Sequence, residues 1–191
     1  VTEQGPQAPP PAAVTATVPG LGPLPWGCVS DLSELTALGG QTRYRYEHPD
    51  PGILETFSNP RPQGGWAVGL ECMEFTSLCP MTGQPDFGRL HVHYVPLLRC
   101  VETKSLKLYL GAYRNHGAFH EDCVNRIADD LVEACAPAWL RVFGDFVPRG
   151  GISIRPIAVR VAPGLDDAEV ARCEALVAAH DAVSATWVAR R

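Results

Sequence analysis

GRLHVHYVPLLRCVETKSLKLYLGAYRNHGAFHEDCVNRIADDLVEAC, residues 88–135, changes its hydrophobic period once, and that change decides the fold class. From Gly88 to Leu98 the residues alternate, with Leu90, Val92 and Tyr94 on one face and Arg89, His91 and His93 on the other. A period of two marks a half-buried strand. Leu106, Tyr109, Leu110 and Tyr113 then fall at i, i+3, i+4 and i+7, which is one face of a helix. Asn115-His116-Gly117 breaks it, and a second helix is expected from about Ala118 to Cys135. Val124, Ile127, Leu131 and Cys135 line one side of that helix, and Pro137 stops it.

Working outward, both flanks predict extended chain. Residues 42–57 read as two short pieces around the turn His48-Pro49-Asp50-Pro51-Gly52, and Trp66 to Glu74 as a further strand. Downstream, Leu140, Val142 and Phe146, then Ile152, Ile154 and Ala158, alternate around Pro148-Arg149-Gly150-Gly151. Strands, two helices, then strands predicts an α+β domain, an antiparallel sheet with two helices on one face. Val170, Cys173, Leu176 and Val177, after Asp166 or Asp167 as cap, predict a third helix to about His180. It would pack on the domain edge or on a partner subunit. The expected division is a proline-rich tail at 1–40, a folded domain at 41–162 and a helical extension at 163–191. Residues 1–25 carry seven prolines and almost no charge, the composition of a tail that stays flexible or docks on a neighbouring subunit.

Composition narrows the function. The chain has 191 residues, enough for one domain with a real core, and a net charge of −5, which argues against direct binding of nucleic acid. No apolar run approaches the roughly 18 residues of a membrane span, and no secretory signal opens the chain, so a cytoplasmic protein is expected. Seven cysteines (28, 72, 79, 100, 123, 135 and 173) lack any CxxC pair, so a zinc knuckle is not expected. His91 with His93, and His116 with His120, lack a third ligand at a familiar spacing, and no metal is expected. Gly20-Leu-Gly22 sits in the proline-rich tail without a strand before it or a helix after it, so it is no dinucleotide fingerprint.

Three groups of residues could carry chemistry. Cys79 is followed by proline, glycine and proline in a rigid irregular loop, with Asp86 seven residues on. It is either a nucleophile with a nearby acid or a buried structural thiol beside a turn-forming aspartate. Phe119, His120 and Glu121 open the second helix. Glu121 and Asp122 complement the helix dipole, yet His120 is in phase with the apolar stripe and points inward, which suits an aromatic heterocycle bearing N–H donors. Glu102, Thr103, Lys104 and Lys107 open the first helix. Lys104 and Lys107 share a face where the dipole disfavours cations, so they are either a solvated face or an anion site. Arg149 with Gly150 offers another phosphate contact, the glycines permitting close approach.

Taken together, EFTSLCPMTGQPDF (74–87), ETKSLKLY (102–109), RNHGAFHEDC (114–123) and FVPRGGISI (146–154) resemble the 7-cyano-7-deazaguanine reductases of queuosine biosynthesis, over roughly residues 45–160. The resemblance implies a tunnelling fold, an antiparallel sheet with two helices on one face, assembling into a multi-subunit barrel with sites between subunits. One module is present, which implies the single-module branch and stacked pentameric rings. It implies NADPH as cofactor and 7-cyano-7-deazaguanine as substrate, with Cys79 the nucleophile and Asp86 the general acid. Glu121 would anchor the deazaguanine edge, with His120 beside it, Phe119 covering the intermediate, and Glu102 and Thr103 also on the substrate side. Lys104 and Lys107 belong to the signature associated with NADPH use, and Arg149 and Gly150 would meet its phosphates. Thr103 stands where Ser or Leu is usual, and Met81 is at a variable position.

The implied route runs from a Cys79 thioimidate through a thiohemiaminal to an imine and then the amine, with two hydride transfers. Cys123 follows Phe119 by one helical turn, so a protective Cys79–Cys123 disulfide is left open. The rival readings are a relative that adds ammonia to the same nitrile without NADPH, against which Glu102, Lys104 and Lys107 argue, and a non-catalytic purine-binding scaffold. The zinc-binding Cys-x-x-His pattern of GTP cyclohydrolase I, another tunnelling-fold enzyme, is not evident.

Overall fold

The computed structural model describes residues 35–37, 43–46, 48–63 and 65–188, of which 183–188 are described by backbone alone. Apart from 35–37, the expected proline-rich tail lies outside the described residues, as does Cys28. The elements are β1 (Thr56–Ser58), β2 (Val68–Leu78), β3 (Pro85–Val95), β4 (Arg99–Val101), α1 (Thr103–Gly111), α2 (His120–Cys135), β5 (Trp139–Phe146), β6 (Ile157–Val161) and α3 (Asp167–Val188). Strands β2-β3-β5-β6 form one antiparallel sheet in that order, and β1 pairs with β4 in a second, two-stranded one. The fold is α+β, as the change of period predicts.

Register explains which face is buried. Val92 lies opposite Leu70 on β2 and Val142 on β5, and Leu90 lies opposite Cys72 and Gly144. That face meets Val124, Ile127 and Leu131 of α2 and Leu106, Tyr109 and Leu110 of α1 in one core. Burying each such large apolar side chain contributes about 1.5–3 kcal/mol. Glycine at 144 is forced by this packing: a Cβ there would sit 2.7 Å from Phe146 and 3.0 Å from Val124.

Both helices begin where the sequence places them, to within two or three residues. Glu102 caps α1 with both carboxylate oxygens, accepting from Lys104 N–H at 2.9 Å and Ser105 N–H at 2.7 Å. No side-chain cap bond forms at Phe119, so Glu121 and Asp122 in the first turn of α2 are its dipole complement. Its far end turns at Ala136, in the left-handed region at φ 41°, before Pro137.

Three expectations shift. β2 runs on to Leu78, four residues past Glu74, through a bulge between Cys72 and Phe75 that breaks the alternation. Ile152 and Ile154 are not strand: the chain stays irregular after β5 and β6 begins only at Ile157. The third helix continues beyond His180 to Val188. It packs on the sheet's other face, where Cys173 and Val177 bury against Val95, Ala138 and Trp139.

Candidate active site

Cys79 stands at the end of β2, and two hydrogen bonds curl the loop behind it. Its N–H donates to the Gln84 carbonyl at 2.8 Å, and Gly83 N–H donates to the Cys79 carbonyl at 2.9 Å. Closing so tight a loop takes Gly83 to φ 66°, a conformation glycine adopts without a Cβ penalty. The thiol is partly exposed, and its pKa is lowered to about 7. The Thr82 hydroxyl is the largest cause, followed by the main-chain N–H groups of Met81 and Thr82; Arg149 adds a smaller contribution. Lowered pKa and partial exposure set this thiol apart from an inert core cysteine. By contrast, burial pushes Cys123 up to about 11. Both Cys79 and Cys123 are free thiols in this structure.

Asp86 is brought alongside by strand pairing: it opens β3 opposite Ser77 and is 3% exposed. Arg149 Nη1 lies 2.7 Å and His120 Nε2 3.2 Å from the same oxygen, Oδ1. His120 is held by stacking on Phe146, with centroids 4.0 Å apart. Leu78 N–H donates to the His116 carbonyl and Ala118 N–H to the Leu78 carbonyl, which ties the start of α2 to the end of β2. Asp86 Oδ1, His120 Nε2 and Ser77 Oγ are buried without a hydrogen bond of good geometry. Buried capacity left open at a mouth of this kind suits a polar ligand or a proton in transit.

Arg149 is aimed by a two-residue hairpin. Arg149 and Ile152 exchange both main-chain hydrogen bonds at 3.1 Å, while Gly150 and Gly151 take φ 58° and 81°. Positive φ at both central residues is what such a turn demands. The guanidinium also donates to Gln84 Oε1 at 2.7 Å, so Arg149 braces both the Cys79 loop and Asp86. Phe119 (59% exposed) and Glu121 stand open at the start of α2.

The residues of α1 form a different group. Thr103 to Gly111 spans about 12 Å of helix, and only the far end leads toward His116 and Leu78. Glu102 is buried and occupied as a cap, and Lys104 Nζ donates to the Ala37 carbonyl. Thr103 and Lys107 line a cavity of about 530 Å³ with Tyr44, Tyr46, Glu74 and Arg114, while Cys79, Asp86, His120 and Arg149 do not. Tyr44 and Tyr46 stack at 5.5 Å, with Lys107 over the first ring at 5.9 Å and Arg114 over the second at 5.2 Å. The sequence places these tyrosines in extended chain and Arg114 in the 114–123 motif, and none of the three was expected at a site. The signal was present, since Tyr44 and Tyr46 at i, i+2 share a face of extended chain, and Lys107 and Arg114 are seven residues apart.

His93, His180 and Asp181 also converge, on the face covered by α3, with their ligand-type atoms within 4.8 Å of one another. Arg141 donates to His93 Nδ1 at 3.0 Å, which leaves the proton of the neutral ring on Nε2. That proton faces His180 Nδ1 at 3.2 Å and Asp181 at 3.3 Å, so with Arg141 these side chains form one hydrogen-bonded network.

A partly exposed thiol of lowered pKa, in a turn that Arg149 ties to a buried carboxylate, is the kind of arrangement cysteine enzymes use. Residues 85–163 match the family described as QueF-like protein. The NADPH-dependent 7-cyano-7-deazaguanine reductase of Porphyromonas gingivalis (strain W83) is 52% identical over 131 residues, covering 69% of this chain and 84% of that protein. That of Bacillus cytotoxicus is 53% identical over 135 residues, covering 70% and 81%. A solved structure, the archaeosine synthase QueF-Like in the apo form, aligns with a TM-score of 0.47 at 20% identity, over 52% of this chain and 96% of that one. This chain belongs to the family of NADPH-dependent 7-cyano-7-deazaguanine reductases.

Proposed function

We propose that this chain reduces the nitrile of 7-cyano-7-deazaguanine to an aminomethyl group with NADPH, by covalent catalysis at Cys79. The observation that carries the reading is a partly exposed thiol with a pKa of about 7, in a loop that Arg149 braces against buried Asp86. A nitrile carbon is a weak electrophile, so thiolate addition divides one hard reduction into easier steps. Asp86 takes the thiol proton and returns it to the nitrile nitrogen as the C–S bond forms, so nothing is lost and the C=N left behind is better polarised. His120, against the same carboxylate oxygen, holds or resupplies that proton. NADPH, when bound, supplies the two hydrides of the four-electron reduction. Phe119 and His120 close over the reacting carbon to keep water from the imine. Glu121, exposed at the start of α2, accepts the N–H donors of the heterocycle.

The α1 cavity fits a ligand with a phosphate and an aromatic ring, since Lys107 and Arg114 stand over two stacked tyrosines. Lys104 and Lys107, with Arg149 and Gly150, are assigned to the cofactor, and Glu102 and Thr103 to the substrate side. Thr103 and Lys107 line a cavity that Cys79, Asp86, His120 and Arg149 do not, which supports a site that draws α1 from a neighbouring subunit. Ring assembly into a barrel is supported by β2 and β6, which end the four-stranded sheet, and by exposed Ile157, Val159 and Val161 along β6.

The test is to mix protein, 7-cyano-7-deazaguanine and NADPH and to follow the nicotinamide absorbance, with Cys79→Ala in parallel. The expected result is about two NADPH oxidised per nitrile, and none with the variant. A covalent Cys79 adduct without oxidation would reassign the chain to a relative that acts on the nitrile without NADPH. Absence of both signals would overturn the reading.

A further inference from the structure

The loop from Cys79 to Gln84 does more than present a thiol. Cys79 N–H and Gly83 N–H are spent on main-chain carbonyls within the loop, so the loop is held without help from the sulfur. Gly83 N–H on the Cys79 carbonyl closes one helical turn, in which the second and third N–H groups, those of Met81 and Thr82, face the side chain of the leading residue, and both lower its pKa. Thr82 Oγ1 accepts the Gln84 N–H at 3.4 Å, which directs its own hydrogen away from Gln84 and toward the thiol. Successive N–H groups converging in a turn make a concavity for negative charge, and a hydroxyl adds a third donor.

Resting on the reading of Cys79 as nucleophile and deepening it, we propose that Thr82 is a catalytic residue: its hydroxyl, with the main-chain N–H groups of Met81 and Thr82, holds the Cys79 sulfur whenever that sulfur carries negative charge. The reaction needs this twice. In addition, the sulfur pair forms the C–S bond, one C≡N pair moves to nitrogen, and nitrogen takes the proton from Asp86. In expulsion, the C–S bond of the once-reduced adduct breaks, its pair returns to sulfur, and the nitrogen lone pair closes the C=N bond. The sulfur is anionic before the first event and after the second, and the same three donors meet it each time. Arg149 acts one layer further out, bracing the loop through Gln84.

The test uses the full chain without substrate or cofactor, and measures thiol–disulfide exchange at Cys79 with dipyridyl disulfide against pH. Thr82→Val keeps the shape and removes the O–H, Thr82→Ser restores it, and Cys79→Ala identifies the reacting phase. The parent and Thr82→Ser should titrate near pH 7. In Thr82→Val the midpoint should rise by about one unit, a tenfold fall in thiolate at low pH, while the more basic sulfur becomes about threefold more nucleophilic. The profiles therefore cross: Thr82→Val reacts about threefold slower at pH 6 and about threefold faster above pH 9. A loosened loop would shift rates in one direction at all pH values and would not be rescued by serine. Superimposed profiles for Thr82→Val and parent, with the Cys79 phase still near neutrality, would overturn the role of Thr82 and leave the nucleophile standing. A parent in which Cys79 titrates with an ordinary thiol would overturn both.

Discussion

At the scale of single residues, the centre is two ionisable side chains with one arginine braced against both. Asp86 is buried on β3, with Arg149 and His120 on the same carboxylate oxygen. Asp86→Asn keeps the shape and removes the proton-carrying group. Loss of a positioned acid–base group lowers turnover by about 10²–10⁴-fold. We expect that loss in kcat, with Cys79 still forming an adduct with the nitrile on a slower scale by mass spectrometry. The placement of Cys79 in an irregular loop was legible because proline and glycine around it exclude regular structure. The part played by Thr82 was not, because it depends on which way the hydroxyl hydrogen points once Gln84 N–H has taken the oxygen. Arg149 was legible as the start of a tight turn from the two glycines that follow it. Its partners were not, because nothing local in Pro148-Arg149-Gly150-Gly151 says that the hairpin turns the guanidinium toward β3.

At the scale of elements, the ends of the helices matter most. Glu102 uses both oxygens to cap α1, and substituting a capping side chain by alanine costs about 1–2 kcal/mol. Glu102→Ala should therefore lower stability in urea unfolding by that amount before any effect on substrate is considered. Glu102→Gln, which keeps one acceptor oxygen, should lose less, so a residual activity defect in that variant reports substrate contact alone. At the other end of α2, Ala136 holds a left-handed conformation that a non-glycine residue resists by about 1–2 kcal/mol. Ala136→Gly should raise the melting temperature, part of the gain being offset by the freer unfolded chain. Helices α1 and α2 and strands β3 and β5 were legible because each keeps one clean period over its length. The last third of β2 was not. Its bulge places Cys72 and Phe75 three apart on one face, a spacing that matches neither strand nor helix when read in a line.

At the scale of the molecule, the docking of α3 lies beyond what periodicity could reach. His180 and Asp181 dock α3 onto His93 and Arg141 across the sheet. Burial, then Arg141, then the other histidines push the His93 pKa down to about 4, against the opposing pull of Asp181. A histidine with a depressed folded pKa favours the folded state above its unfolded pKa near 6.5. That advantage is lost as pH falls from there toward 4, since the unfolded chain takes up the proton first. Between pH 6.5 and 5 the loss should be about 2 kcal/mol in urea unfolding, and His93→Gln should flatten that slope. The arrangement of active sites tests the larger architecture. Lys107 lines a cavity that the Cys79 centre does not, and the proposed site that uses both is shared between neighbours. In the proposed ring, Cys79→Ala and Lys107→Ala each remove one half of every site. In rings co-assembled from equal amounts of the two, on the order of a quarter of the sites receive an intact Cys79 from one subunit and an intact α1 from the next. NADPH oxidation should then recover to about that fraction of the parent rate. Co-assembled rings no more active than the separate variants would mean that both halves come from the same chain.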